Sequence, residues 1–457
     1  MLRTSRTLIF LAAALFAAAP LFADDPWYTE GDYAPAVRAK LSLTNPLDFD
    51  RPNCPITIPR SLLPVTDVME LSIIVVDPSL PGVPQPTKEE LALGGGHRIQ
   101  KETNGHQLYS QYDDIDHDGV GDEFFFMTDL AARETKTLYL YFGFTQRGWN
   151  VHGTHGAIGS YVRHQIPFWE SANVGWKLWY PTDCDLYGKR KNVLMSHELY
   201  MKNLNGYAVP SDYGSDIMRV DESFGAGGIC LFEVPAAPDS ASRPRFTPAK
   251  SEFKPPRGWN GGQLSDTRYA FEVIVNGPLR SMIKAKTMNW NSGAGSYELE
   301  QIYTAYASQN YSTCRVKFTR FAPKNPGTMF GCGIRKITGE YDTAREGNAV
   351  VTIGKDEITS PDDPTGSIKL PVAYVGTGLV VKDSYRPQFQ SVPARGGNYT
   401  FKVPALKDRS FEYMVLAGWS EGEVLNKAED FKAYVFRSAK EYNNPAVARV
   451  GVVERKK

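Results

Sequence analysis

The sequence predicts an all-β protein, a small N-terminal β-sandwich followed by a large antiparallel β domain. Three observations carry that reading. The chain is rich in aromatic residues (8 Trp, 24 Tyr, 23 Phe) and in turn formers (40 Gly, 31 Pro). Short runs of β-branched and aromatic residues alternate with Pro, Gly, Asn and Asp, the pattern of strands joined by turns. Helical periodicity is confined to Ser420 to Lys440, where Leu425, Ala428, Phe431 and Val435 form one apolar stripe.

Residues 1 to 23 carry Arg3 and Arg6, an apolar run and a small residue before Asp24, the pattern of a secretory signal peptide. A secreted or periplasmic location is therefore expected, with no membrane span after cleavage. Basic and acidic residues balance at 51 each, and loss of Arg3 and Arg6 would leave a net charge of about −2. That balance gives no electrostatic case for nucleic acid or an anionic membrane, while leaving room for a local basic pocket. The sequence does not address oligomeric state. Five cysteines, an odd number, leave at least one thiol unpaired within the chain. Cys314 and Cys332, in neighbouring strand-like runs, are the preferred disulfide, against the alternative that all five are small buried hydrophobes.

From Asp24 to about Asn150, runs such as ELSIIVV, EFFFMTDL and TKTLYLYFGF predict the compact first sandwich. Within it, Asp114, Asp116, Asp118 and Asp122 alternate around Gly119, placing hard oxygen ligands on a tight loop as a structural calcium site requires. A solvated acidic turn is the alternative, because Phe125 occupies the twelfth loop position and no helical pattern flanks the loop. Gly94-Gly95-Gly96-His97 lacks the Lys-Ser/Thr of a phosphate loop and reads as a flexible turn. No organic cofactor is implied.

The second domain, 151 to 457, opens with a Gly- and His-rich segment holding His152 and His155, a spacing without an evident third metal ligand. Tyr161 to Cys230 then concentrates Trp169, Trp176, Trp179, Glu170, Asp212, Asp216, His197, Tyr213 and the basic run Lys189-Arg190-Lys191. Pro235 to Gly262 reads as a long surface loop. Alternating runs thereafter, such as Phe271 to Val275 and Tyr303 to Tyr306, predict strands with one wet face.

Seven short motifs occur in a consistent order: Trp169-Glu170, Gly175-Trp176-Lys177-Leu178, Asp185 to Arg190, Asp212 to Ile217, Gly225 to Gly228, Asn276-Gly277-Pro278-Leu279-Arg280-Ser281, and Ala417-Gly418-Trp419. In this order the chain resembles a family of secreted bacterial proteins classed as a domain of unknown function and encoded beside polysaccharide-degrading enzymes. Asn276 to Ser281 is similar to a motif of the galactose-mutarotase-like β-supersandwich of lyases and glycosidases. The resemblance implies stacked antiparallel sheets whose concave face binds a poly- or oligosaccharide. Asn203 to Tyr207 and the loop from Pro235 depart from the family's pattern in length, which bears on specificity.

Three chemistries follow. A carbon-oxygen lyase acting on uronate-containing glycans needs a base, a cation at the carboxylate and a proton donor. His197 is the candidate base, Tyr213 the donor, and Arg280 with Lys189 and Arg190 the carboxylate-binding cations. This is the leading reading. A glycoside hydrolase would instead draw a carboxylate pair from Glu170, Asp212, Asp216, Glu298 and Glu300. A non-catalytic glycan-binding protein would stack sugars on Trp169, Trp176, Trp179 or Trp419. Against each stands a plain structural role: core packing for the tryptophans, turn hydrogen bonds for the aspartates and a satisfied structural histidine.

Overall fold

The computed structural model describes residues 26–65, 73–92, 101–143, 151–161, 164–179, 183–197, 212–218, 220, 223–237, 241–244, 267–359, 365–367, 369–392, 397–404 and 406–457. Residues 1 to 23, where a signal peptide is expected, Gly94 to His97, Asn203 to Tyr207 and most of the loop after Pro235 lie outside these residues.

The fold is all-β, as the composition predicts, and its strands pair antiparallel. An eight-stranded sheet is the centre. In spatial order its strands are Arg268–Asn276, Arg280–Asn291, Gly295–Tyr306, Tyr311–Pro323, Ser410–Trp419, Lys369–Val381, Ala349–Thr359 and Glu340–Glu346. Alternation along the strands, interrupted at bulges, separates the faces. Ile283, Tyr303, Cys314, Val316, Tyr413 and Val415 point inward to the largest apolar core. Met282, Thr304, Thr313, Arg315 and Glu412, one position away in each strand, point outward.

Two smaller sheets cover the inner face. One has five strands, Thr154–Tyr161, His164–Ser171, Val174–Trp179, Asp183–Lys189 and Gly214–Asp216; the other has four, with Gly228–Phe232 at one edge. They contribute Trp169, Trp176, Leu178, Leu186, Ile229 and Phe401 to the same core. The Trp169 indole packs 4.6 Å from the Tyr303 ring and donates to the Ser312 hydroxyl at 2.8 Å. An indole can be buried here because its one polar atom finds a partner.

Two bodies cover the outer face. The helix Ala428–Asn443 lays Phe431 and Val435 on Val351, Tyr374 and Leu416. It begins eight residues later than its sequence pattern predicts, with Leu425 ahead of it at φ 53°. A second helix, Lys88–Ala92, escapes the periodicity because it is only five residues long. Its start is nevertheless encoded: the Thr87 hydroxyl accepts the Glu90 N–H, and the Glu90 carboxylate accepts the Thr87 N–H.

The other covering body is the small sandwich. Its larger sheet holds Val37–Thr44, Thr135–Phe142, Ile73–Asp77 and His106–Leu108; Arg51–Pro59, Glu123–Leu130 and Ser110–Asp113 form the facing sheet. Leu41, Leu43, Ile56, Ile58, Phe124, Phe126, Leu138 and Leu140 fill the space between them. The last strand of the chain, Val447–Arg455, returns to pair with Val37–Thr44, so this sheet draws on both ends of the sequence.

The expected Cys314–Cys332 bridge does not form. All five cysteines are free and buried, with Cys314 and Cys332 acting as small apolar residues of the main core. Among the described residues, no helix is long and apolar enough to cross a membrane.

Phe431 is fully buried against the central sheet, so Phe431→Ala is expected to destabilise the protein by about 3 to 5 kcal/mol. Denaturant unfolding checks this, and an unchanged midpoint would show that the helix is not anchored through that ring.

Candidate functional site: a cleft between the sandwich and the central sheet

Asn276 to Ser281 sits at the joint between the small sandwich and the central sheet, and its residue types follow from that position. The Gln111 side chain of the sandwich lies against this turn, its Oε1 accepting the N–H groups of Leu279 (2.8 Å) and Arg280 (3.0 Å). A Cβ on Gly277 would fall 2.4 Å from Gln111 Nε2, so only glycine lets the amide approach. The Asn276 Oδ1 accepts the Gly156 N–H, and the Ser281 hydroxyl lies 2.9 Å from Thr154 Oγ1, which ties the inner layer to the same turn.

Arg280 completes the joint. Its Nε donates to Asp113 at 2.6 Å, its Nη2 donates to Glu123 at 2.7 Å, and its guanidinium lies 4.4 Å from the Phe125 ring centre. Arg280 is 3 % exposed. Sequence reasoning offers this cation to a substrate carboxylate, but the structure gives it to two carboxylates of the neighbouring sandwich.

Beside this clamp opens a cleft of about 560 Å³. Its floor is the outer face of the central sheet (Met282, Thr304, Tyr306, Tyr311, Thr313, Arg315, Glu412). Arg51 and Thr57 of the sandwich form one wall, and Lys382 and the helix end with Glu441, Tyr442 and Asn443 form the other. Arg315 is exposed and, among the described residues, has no ion pair. Glu412 lies directly across the ladder from it. That carboxylate is engaged by Lys382 at 2.9 Å and by the Tyr442 hydroxyl, which donates at 2.6 Å. Burial, with the charge of Glu412, pushes the Tyr306 hydroxyl up to about 12 and holds Tyr442 well above the ordinary tyrosine range. Both stay protonated near neutrality and can donate. The cleft therefore offers a free guanidinium, protonated phenols and a carboxylate within one cavity.

The stretch from Tyr161 to Cys230 is built differently. Trp169 and Trp176 are fully buried and leave no face for a sugar, and Trp419 is 3 % exposed. The Trp179 side chain lies outside the described residues. Glu170 and Lys189 pair with each other in the interior; Lys189 also donates to the Ser171 and Val193 carbonyls, and Glu170 accepts the Met195 and Ser196 N–H groups. Asp216 and Asp185 share Lys177, at 2.7 and 3.5 Å. Arg190 pairs with Glu421 at 2.6 Å and lies over Trp419.

Asp212, Tyr213 and His197 are exposed, with Lys191 over the Tyr213 ring. Ser196, the neighbour of His197, meets His155 on the layer that covers the inner sheet face, whereas the Arg280 side chain leaves the outer face. The proposed base and the Arg280 cation are thus not brought together. His155, Ser196 and Glu170 do meet, yet Ser196 and Glu170 both face the same ring atom, Nδ1. A serine relay needs them on opposite nitrogens.

In the acidic loop, carboxylate oxygens of Asp114, Asp116 and Asp122 lie within 4.8 Å of one another and could hold a hard divalent cation such as calcium. Asp118 is not among them; its Oδ1 accepts the Val120 N–H. His117, at φ 61°, reaches from the same loop to the Ile274 carbonyl and to Glu272. The loop thereby docks on the edge strand of the central sheet. Glu298 and Glu300 are half-buried on the outer face, and Glu300 pairs with Lys286 at 3.8 Å.

The family described as Domain of unknown function (DUF4861) matches residues 43–447. The chain belongs to this family. No curated protein matches the sequence. Two solved structures are similar to this DUF4861 protein. A glycosyl hydrolase family 38 protein from Enterococcus faecalis is 9% identical, with TM-score 0.39, over 92% of this chain and 48% of that one. An alpha-mannosidase from Enterococcus faecalis V583 is 10% identical, with TM-score 0.35, over 92% and 46%. This chain spans about half the length of those proteins, and at these values the likeness assigns neither fold nor activity to it.

The cleft is what sequence reasoning misses in this DUF4861 protein. Arg315, Glu412 and Tyr442 come from three separate segments, and the one local signal is that Arg315 and Lys317 are cations alternating with the apolar Cys314, Val316 and Phe318.

The buried Glu170 gives a pH test. Burial alone would raise its pKa, but the charge of Lys189, with the His155 and Ser196 contacts, outweighs that and holds it down at about 2, below its ordinary 4.5. A depressed carboxylate contributes stability that is present above its unfolded value and lost as pH falls through the folded one. Stability is therefore expected to fall between about pH 4.5 and pH 2 in the wild type. Glu170→Gln should lose that part of the slope, as urea unfolding across this range would show; an unchanged slope would contradict the assignment.

Proposed function

We propose that this protein is carbohydrate-active, that the cleft binds a glycan bearing a uronate carboxylate, and that the reaction is elimination by a carbon-oxygen lyase. The observation that carries this reading is Arg315, a guanidinium on the cleft floor with no ion pair among the described residues, surrounded by hydroxyl groups. A carboxylate is the planar anion such a group pairs with best. The carbohydrate identity rests on the resemblance of the motif order.

In the proposed step, Arg315 neutralises the substrate carboxylate and stabilises the charge that grows on it when the neighbouring C–H proton leaves. Glu412 takes that proton. The electron pair forms a carbon-carbon double bond, the bond from the adjacent carbon to the leaving oxygen breaks, and a tyrosine hydroxyl, Tyr306 or Tyr442, gives that oxygen a proton. Hydrolysis is the second reading, because Glu123, Glu412 and Glu441 line the same cleft. It is less favoured because Glu123 and Glu441 are tied to Arg280 and Arg51, which leaves Glu412 no second unengaged carboxylate to work with.

Incubation with uronate-containing oligosaccharides, followed by ultraviolet absorbance and mass, is expected to show an unsaturated product, with turnover in Arg315→Ala reduced roughly 100-fold or more. Shorter products without a chromophore would move the reading to hydrolysis. Loss of turnover in His197→Ala with Arg315→Ala unaffected would move the site to the exposed His197 and Tyr213 surface. Binding without turnover would leave a glycan-binding protein.

A further inference from the structure

The strand Tyr311–Pro323 carries more on its wet face than the cleft uses. Arg315, Lys317 and Arg320 are all exposed, and none of them has an ion pair among the described residues. Simple alternation would turn Arg320 into the core, because Cys314, Val316 and Phe318 point there. A bulge prevents this. Leu299 pairs with Phe318 and Glu298 with Arg320, so Thr319 is an extra residue and Arg320 stays on the outer face.

The strand on the other side of Glu298 is bulged at the same level, between Thr287 and Trp290, with Asn289 in the left-handed region at φ 56°. A non-glycine residue held there stores strain, and bulges commonly re-aim side chains near binding sites. Together the two bulges shape a pocket of about 450 Å³ lined by Arg268, Asn289, Asn291, Ser296 and Arg320, with Trp290 and Tyr297 beneath. From Arg315 at the cleft to Arg320 at this pocket is on the order of 15 Å along the strand.

The acids beside this row are turned to other partners or leave it unpaired. Glu412 is engaged by Lys382 and Tyr442, and Glu300 by Lys286. Glu298, opposite Arg320, makes no ion pair among the described residues.

We infer that Arg315, Lys317 and Arg320 form one track on the outer face of the central sheet, along which a linear polyanionic saccharide runs from the cleft to the far pocket. The anions are carboxylates or sulfate esters repeated along the chain. The inference rests on the cleft reading and deepens it, making the substrate a polymer or long oligomer. Successive cations are roughly 7 Å apart where the strand is regular, so the track engages charges repeated along a chain instead of a single acidic sugar.

Calorimetry with a short uronate saccharide and with oligomers long enough to reach the far pocket, in a uronate series and a sulfated series, tests the track. The long chain should bind tighter than the short one. The double variant Lys317→Ala/Arg320→Ala should lose roughly three- to tenfold for the long chain only, with weaker salt dependence. Equal affinity for both lengths, or an unaltered double variant, would overturn the track while leaving the cleft reading in place. Long-chain binding that depends on Lys317 and Arg320 but is unchanged in Arg315→Ala would overturn both the cleft reading and the run of the track into the cleft. Failure of both lengths to bind overturns both. The series that binds tells carboxylate from sulfate.

Discussion

The structure depends on the clamp that Arg280 makes with Asp113 and Glu123. A guanidinium buried to this degree is tolerable only because two carboxylates and an aromatic face replace its water. Those partners come from the small sandwich, whereas Arg280 belongs to the central sheet. The clamp therefore fixes the sandwich on the outer face of the central sheet. The helix Ala428–Asn443 occupies a neighbouring part of that face, and the space left between them is the cleft. Shape and charge of the cleft are consequences of how two bodies are held on one sheet.

The same logic divides the polar residues of the molecule into two populations. Glu170 with Lys189, Lys177 with Asp185 and Asp216, and Arg280 with its two acids are buried and mutually satisfied. Breaking one partner of such a set leaves a charge without compensation, so these groups specify how the layers meet. Arg315, Lys317 and Arg320 are the opposite case. They remain solvated and unengaged by carboxylates among the described residues, at modest cost to folding. Ligand chemistry is better sought among the second group than the first.

How legible this was in the sequence follows from the same division. Strand periodicity encodes the fold directly, because a residue's face is a local property. The helix was legible through Phe431 and Val435, and its start was displaced because Leu425 packs near the same cluster before the helix begins. The motifs were conspicuous for a different reason. Gly225, at φ 57° with the Cys184 carbonyl 2.0 Å from any added Cβ, and Gly277 beside Gln111 mark joints where backbones must approach closely. Dense mixtures of Trp, Lys and Asp from Tyr161 onward likewise mark layer contacts. Burial is not written in residue type, so a buried Lys189 reads like a binding cation. The cleft residues were illegible because each is ordinary in its own segment and only the packing of distant strands brings them together.

The most direct test of the account is a crystal structure of the protein soaked with a uronate oligosaccharide. A sugar carboxylate within hydrogen-bonding distance of the Arg315 guanidinium, with the rings lying between the Tyr442 wall and the sandwich, is the predicted result. A sugar seated on the exposed surface of His197 and Tyr213, with the cleft containing only solvent, would contradict it.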